Sequence, residues 1–90
     1  VPVIATRIGE EIRRHRKRLG LSQEALAVRA SLHRTEIGLL ERGERLLRVD
    51  TLVKLAGALE VAPGELLEGI AWEPGYTRRG KFVPPVTPKV

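Results

Sequence analysis

Ninety residues hold few groups able to carry out covalent chemistry. Without cysteine there is no thiolate nucleophile, no thiolate metal site and no disulfide framework. His15 stands one helical turn after Glu11, a spacing at which two side chains can share a metal ion. No further ligand is indicated, so a solvated helix face is expected there, with no metal and no cofactor. No nucleophile is accompanied by a base and an orienting group, and no glycine-rich phosphate loop is present; the pattern does not predict an enzyme. The suggestive groups are polar and basic. Arg34, Thr35, Gly38 and Leu39 recur on one side of a short helical pattern, with Arg42 near its end, while Ile37 and Leu40 occupy the other side. Arg34 can donate to two acceptors at once, Thr35 can donate, accept or present a methyl, and Leu39 offers only apolar contact.

Something must position that strip, and the stretch from Gln23 to Gly43 supplies it. Leu26, Ala27 and Ala30 form the apolar side of a helix preceding the strip, and only Ser31, Leu32 and His33 separate the two. Helices joined so tightly cross closely, and Ala27 is small enough to allow it. Gly43 provides a left-handed stop. The inward set is therefore Leu26, Ala27, Ala30, Leu32, Ile37 and Leu40, behind a short polar-basic outer face. That is the layout of a helix-turn-helix recognition unit. Ser22 is the expected N-cap of the first of these helices, with no reciprocal capping box because Ala25 stands at the third position. Gln23 then opens the helix beside free backbone N–H groups, a natural seat for a phosphate.

The run LSQEALAVRASLHRTEIGLLERGER resembles the phage-repressor (Cro/repressor) type of helix-turn-helix domain, and the match extends from about Ile4 to Leu67. Both the L-S-Q-E-x-L-A opening and the I-x-x-L-E-x-G close are present. Ser31 replaces the usual turn glycine, His33 the usual Ser/Thr cap, and Ala25 a common glutamate. These departures predict a positive φ at Ser31 and a weakly capped helix after it. The resemblance implies an all-α, five-helix domain that binds double-stranded DNA as a homodimer, a transcriptional repressor or regulator. It places the first turn of the recognition helix, 34–42, in the major groove. Arg34 then suits guanine O6 and N7, Thr35 a base edge or thymine methyl, His33 a base or phosphate, and Leu39 a thymine methyl. It also implies that Arg16 pairs with Glu41, where a carboxylate would otherwise oppose both DNA and the helix dipole.

Around this unit the pattern predicts a first helix over 5–19 from Ile4, Ile8, Ile12 and Leu19, its Arg13, Arg14, Lys17 and Arg18 mostly exposed. Gly38 leaves room for the DNA backbone or a neighbouring helix, and Gly38 and Arg42, near the end of the recognition helix, are candidate phosphate contacts. Arg45 and Arg48, in the following loop, are candidate phosphate clamps. Leu46 and Leu47 are either core plugs or a subunit contact. A fourth helix is expected over 50–59 with Leu52, Leu55, Ala56 and Leu59 inward. A fifth is expected from Pro63, burying Leu66 or Leu67 before Gly69. Residues 1–69 form the expected DNA-binding domain, and 70–90 an extended or short β appendage. This appendage holds every aromatic residue, Trp72, Tyr76 and Phe82. Ile70 and Trp72 alternate as in a strand, Pro74-Gly75 reads as a turn, and Lys81-Phe82-Val83 as a short return strand. Trp72, Tyr76 and Phe82 are candidate dimer contacts, or a surface for another protein.

Composition agrees with a small helical core: 42% of residues are hydrophobic, nearly all aliphatic. Charge is segregated. Residues 1–48 carry a net +5, residues 49–69 a net −3 and residues 70–90 a net +3, which favours an anionic partner approached from one side. No apolar run approaches membrane-spanning length, the first residues lack a signal-peptide plan, and a cytoplasmic location is expected. An antitoxin or adaptor whose tail grasps another protein is the alternative reading.

Overall fold

Among the described residues the helical patterns form four α-helices: α1 (Val3–Arg18), α2 (Gln23–Ala30), α3 (Arg34–Glu41) and α4 (Val49–Leu59). A 3-10 helix (Pro63–Leu67) and two strands, β1 (Ala71–Glu73) and β2 (Lys81–Val83), follow. The computed structural model describes residues 3–75 and 79–83. Tyr76 lies outside the described residues.

The expected fifth α-helix is not one. Pro63–Leu67 is a 3-10 segment of five residues. Pro63 brings no N–H and Gly64 weakens helical propensity. The bonds that form span three residues, from Glu65 N–H to the Ala62 carbonyl and from Glu68 N–H to the Glu65 carbonyl. So short a segment cannot repay helix nucleation and is held instead by Leu66, which is fully buried, while Leu67 stays exposed.

The core joins Ile8 and Ile12 of α1, Leu26, Ala27 and Ala30 of α2, Ile37 and Leu40 of α3, Leu55, Ala56 and Leu59 of α4, and Leu66. Leu32, Leu47, Leu52 and Ile70 pack against its edge. Two glycines bring α1 against the end of α3. A Cβ added to Gly9 would lie 2.3 Å from the Leu40 carbonyl oxygen, so not even alanine fits without displacing backbone. Gly43, at φ 71°, ends α3 in the left-handed region and abuts the backbone of Thr6. At the far side, Arg29 Nε donates to the Ala58 carbonyl (2.9 Å) and Arg18 to the Leu59 carbonyl (3.2 Å). Two cations thus cover the negative end of α4.

The strands pair antiparallel, with Trp72 opposite Phe82 and Glu73 opposite Lys81. The two rings meet edge to face at 5.1 Å between centroids. β2 and the 3-10 helix both lie against α1.

Glu11 and His15, expected on a solvated face, are buried, 2% and 5% exposed. The spacing showed only that the two share a face of α1; which later elements pack beside that helix was not visible in it. Arg14 donates to both Glu11 oxygens (2.8 and 3.2 Å), and Arg7 pairs with Glu11 at 2.9 Å. Arg14 also approaches His15 Nε2 at 3.2 Å, so the neutral ring accepts there and carries its proton on Nδ1, a buried atom without a hydrogen-bond partner among the described residues. Hydrogen bonding from Arg14, with the charge of Arg7, holds the Glu11 carboxyl below the usual range, although burial pushes the other way. Burial, reinforced by Arg14 and Arg18, pushes the His15 pKa down against the opposing pull of Glu11 and of Glu65 from the 3-10 helix.

Both shifts act in the same direction. Below an unfolded histidine value of about 6.5 the unfolded chain takes up a proton that folded His15 resists, so stability falls with pH there. Glu11 contributes stability above its unfolded value, and this is lost as pH falls through its depressed folded value. The urea midpoint is expected to drop as pH is lowered from neutrality, and His15→Gln should flatten the part of the profile near about pH 6.5. An unchanged profile in that variant would show that His15 does not couple to folding.

Candidate nucleic-acid interface

The turn between α2 and α3 is closed by backbone. Ser31 adopts φ 55° and ψ 44°, and the N–H groups of Ser31 and Leu32 donate to the Val28 and Ala27 carbonyls. Ser22 Oγ caps α2 by accepting from Ala25 N–H at 3.0 Å. His33 takes the N-cap position of α3 in extended conformation without a side-chain cap, and its carbonyl accepts from Glu36 and Ile37. Ile37 and Leu40 anchor α3 in the core, which turns His33, Arg34 and Thr35 outward and leaves Leu39 half-buried. Arg34 has no hydrogen-bond or ion-pair partner among the described residues.

Gly38 does not present open backbone. It is buried, and the Arg42 guanidinium lies over it, with Nη1 3.0 Å from where a Cβ would stand. Helical side chains lean toward the N-terminus, so residue 42 covers the turn that contains residue 38. Arg42 is in turn held by Glu44, and Arg48 lies 3.3 Å from Asp50. All four side chains are exposed, and such pairs are weak enough to exchange for a phosphate. Arg45 is exposed. The adjacent leucines separate: Leu47 packs on the core while Leu46 is exposed.

The structure brings Arg16 and Glu41 together. Arg16 Nε donates to Glu41 Oε2 at 2.6 Å and Nη2 to Oε1 at 3.0 Å, the fork geometry of a strong pair. Arg16 Nη1 also donates to the Leu21 carbonyl at 2.8 Å. Gln23 donates its side-chain amide to Glu41 Oε1 at 3.1 Å, so its side chain is engaged within the protein while its backbone N–H opens α2. One carboxylate at the end of α3 is thereby tied to α1 and to the start of α2. Bonding to Glu41 raises the already high Arg16 pKa. Two contributors to this arrangement went unread in the sequence. Gly9 gave a signal, because glycine within a helix costs about 1 kcal/mol and needs a packing reason; Thr6 gave none.

The described residues therefore present a short helix, anchored at its C-terminal end, with donors exposed at its N-terminal turn. Residues 12–66 match the family model described as Helix-turn-helix. The chain belongs to this helix-turn-helix family, a class of DNA-binding domains. It is 43% identical over 70 residues to control protein C.SmaI of Serratia marcescens, covering 76% of this chain and 83% of that protein. Among solved structures it is similar to the restriction-modification controller protein C.AhdI from Aeromonas hydrophila. There the TM-score is 0.68 and the identity 40%, over 69% of this chain and 94% of the other. The P22 c2 repressor in complex with a synthetic operator is a further neighbour, at TM-score 0.63 and 34% identity over 66% of this chain and 89% of the repressor chain in that structure. Among the described residues no helix is long and apolar enough to cross a membrane, and no group of three metal-ligating side chains occurs.

Because Arg16 and Glu41 are both largely buried, removing either leaves a charge without its partner. Arg16→Ala and Glu41→Ala should each cost about 3 kcal/mol. A double-mutant cycle should return a coupling of at least about 1 kcal/mol. Additive losses in urea denaturation would mean that the pair contributes nothing as a unit.

Proposed function

We propose that this protein is a sequence-specific transcription regulator of the restriction-modification controller type, binding operator DNA as a homodimer. The observation that carries the reading is the free first turn of α3, Arg34 and Thr35, on a helix whose other end is locked by Arg16, Glu41 and Gln23. Arg34 addresses a guanine, Thr35 and Leu39 a neighbouring thymine, and His33 a base or phosphate. Phosphates are bound by the N–H groups at Gln23, by Arg42 with Gly38 beneath it, and by Arg45 and Arg48. Relatives that are control proteins and a repressor support regulation over the antitoxin or adaptor reading, which they do not favour.

Selection of bound sites from random double-stranded DNA tests the function. The wild type should enrich one palindromic site. Arg34→Ala should lose about 1–3 kcal/mol at that site and relax one base pair. Arg48→Ala should weaken all sequences alike and lower the salt slope by about 1. Uniform weakening by Arg34→Ala would remove it from base readout.

Two recognition helices must be held about 34 Å apart to read such a site. Leu46, Val49 and Val53 form an exposed apolar strip running from the loop after α3 along the outer face of α4, 54% or more exposed at each residue. A second copy docked on this strip would fix that spacing with little intervening chain. Trp72 and Phe82 form a second exposed apolar surface on the hairpin. Val53→Glu should shift the protein toward monomer in sedimentation and cut affinity for the palindrome more than for a half-site. A dimer unaffected by Val53→Glu but lost in Trp72→Ser would move the interface to the hairpin.

A further inference from the structure

We propose that Glu36 is a base-reading residue of α3 that selects a cytosine. This rests on the DNA-binding reading above and adds a residue and a base to it. Glu36 is the third residue of α3, directly after Arg34 and Thr35, and it is half-exposed. On the same helix Glu41 is consumed by Arg16 and Gln23, whereas the Glu36 carboxylate has no hydrogen-bond or ion-pair partner among the described residues.

A carboxylate on a surface that approaches phosphates is repelled unless it meets a donor. The donors on the floor of the major groove are the amino groups of cytosine and adenine. Adenine places its N7 acceptor beside that amino group, which repels a carboxylate, while cytosine offers the donor without it. Helix geometry separates Arg34 and Glu36 by about 200°, with Thr35 and Leu39 between them. The first turn therefore carries a two-donor side chain on one flank and an acceptor-only side chain on the other. Leu39, three residues on, is a neighbour of Glu36 on the helix surface. A guanine read by Arg34 and a cytosine read by Glu36 are then separate positions of one half-site.

The test is site selection and affinity measurement on the full chain for wild type, Glu36→Gln and Glu36→Ala, with Arg34→Ala as reference and the thermal midpoint of each variant recorded. The wild type should select cytosine at one position of each half-site. Both Glu36 variants should lose about tenfold of that preference, and Glu36→Gln should gain adenine there. The base pair relaxed by Arg34→Ala should keep its preference in both Glu36 variants. The proposal is overturned if every base preference survives, whether affinity rises equally for all sequences, as for a carboxylate that only repels phosphate, or only the thermal midpoint falls, as for one that only serves the helix dipole. If wild type selects no sequence at all, the operator-binding reading falls and this assignment with it; a selected site lacking the cytosine overturns this assignment alone.

Discussion

Glu41 faces two electrostatic penalties at once, because its carboxylate is buried and it stands at the negative end of α3. The Arg16 fork and the Gln23 amide offset both, at 2.6 to 3.1 Å. Since Arg16 belongs to α1 and Gln23 opens α2, this one carboxylate sets the relation of three helices. The close approach of Gly9 to the Leu40 carbonyl and the left-handed stop at Gly43 serve the same junction. Little of α3 is left to define the position of its first turn beyond Ile37 and Leu40, so any freedom at the junction would be carried directly to Arg34 and Thr35.

The outer surface follows a different rule from the junction. There the ions are exposed, their pairs are short-range and weak, and Arg42 and Arg48 can leave Glu44 and Asp50 for a stronger anion. The junction is built from buried charge that cannot change partners without a large cost; the surface is built from charge that can. A domain that must hold its shape while binding a polyanion needs both kinds, and the division falls along burial.

Alpha1 carries a second buried charge system with no evident part in that surface. Glu11 is satisfied by Arg7 and Arg14, but His15 Nδ1 and Arg7 Nε remain unpartnered among the described residues. Buried polar atoms of this kind cost stability. Here the cost is carried by a helix that also supports α3, the 3-10 helix and β2, so acid weakening of this cluster acts on the scaffold from which recognition is presented.

Local chemistry was legible in the sequence. The apolar spacing of Leu26, Ala27, Ile37 and Leu40, the three-residue turn, the Ser22 cap and the stop at Gly43 all depend on neighbours within one or two turns, and the chain encodes these directly. The resemblance to phage repressors implied that Arg16 and Glu41 belong together; spacing alone gave no distance across 25 residues. Tertiary structure decided the rest. It separated Leu47 from Leu46, since only the packed core determines which of two adjacent leucines fits. It buried Gly38 under Arg42 and enclosed Glu11 and His15, and it held Pro63–Leu67 as a 3-10 segment through Leu66 rather than by helix propensity. Burial depends on what later elements bring alongside a residue, and a periodicity read along one helix contains no record of them.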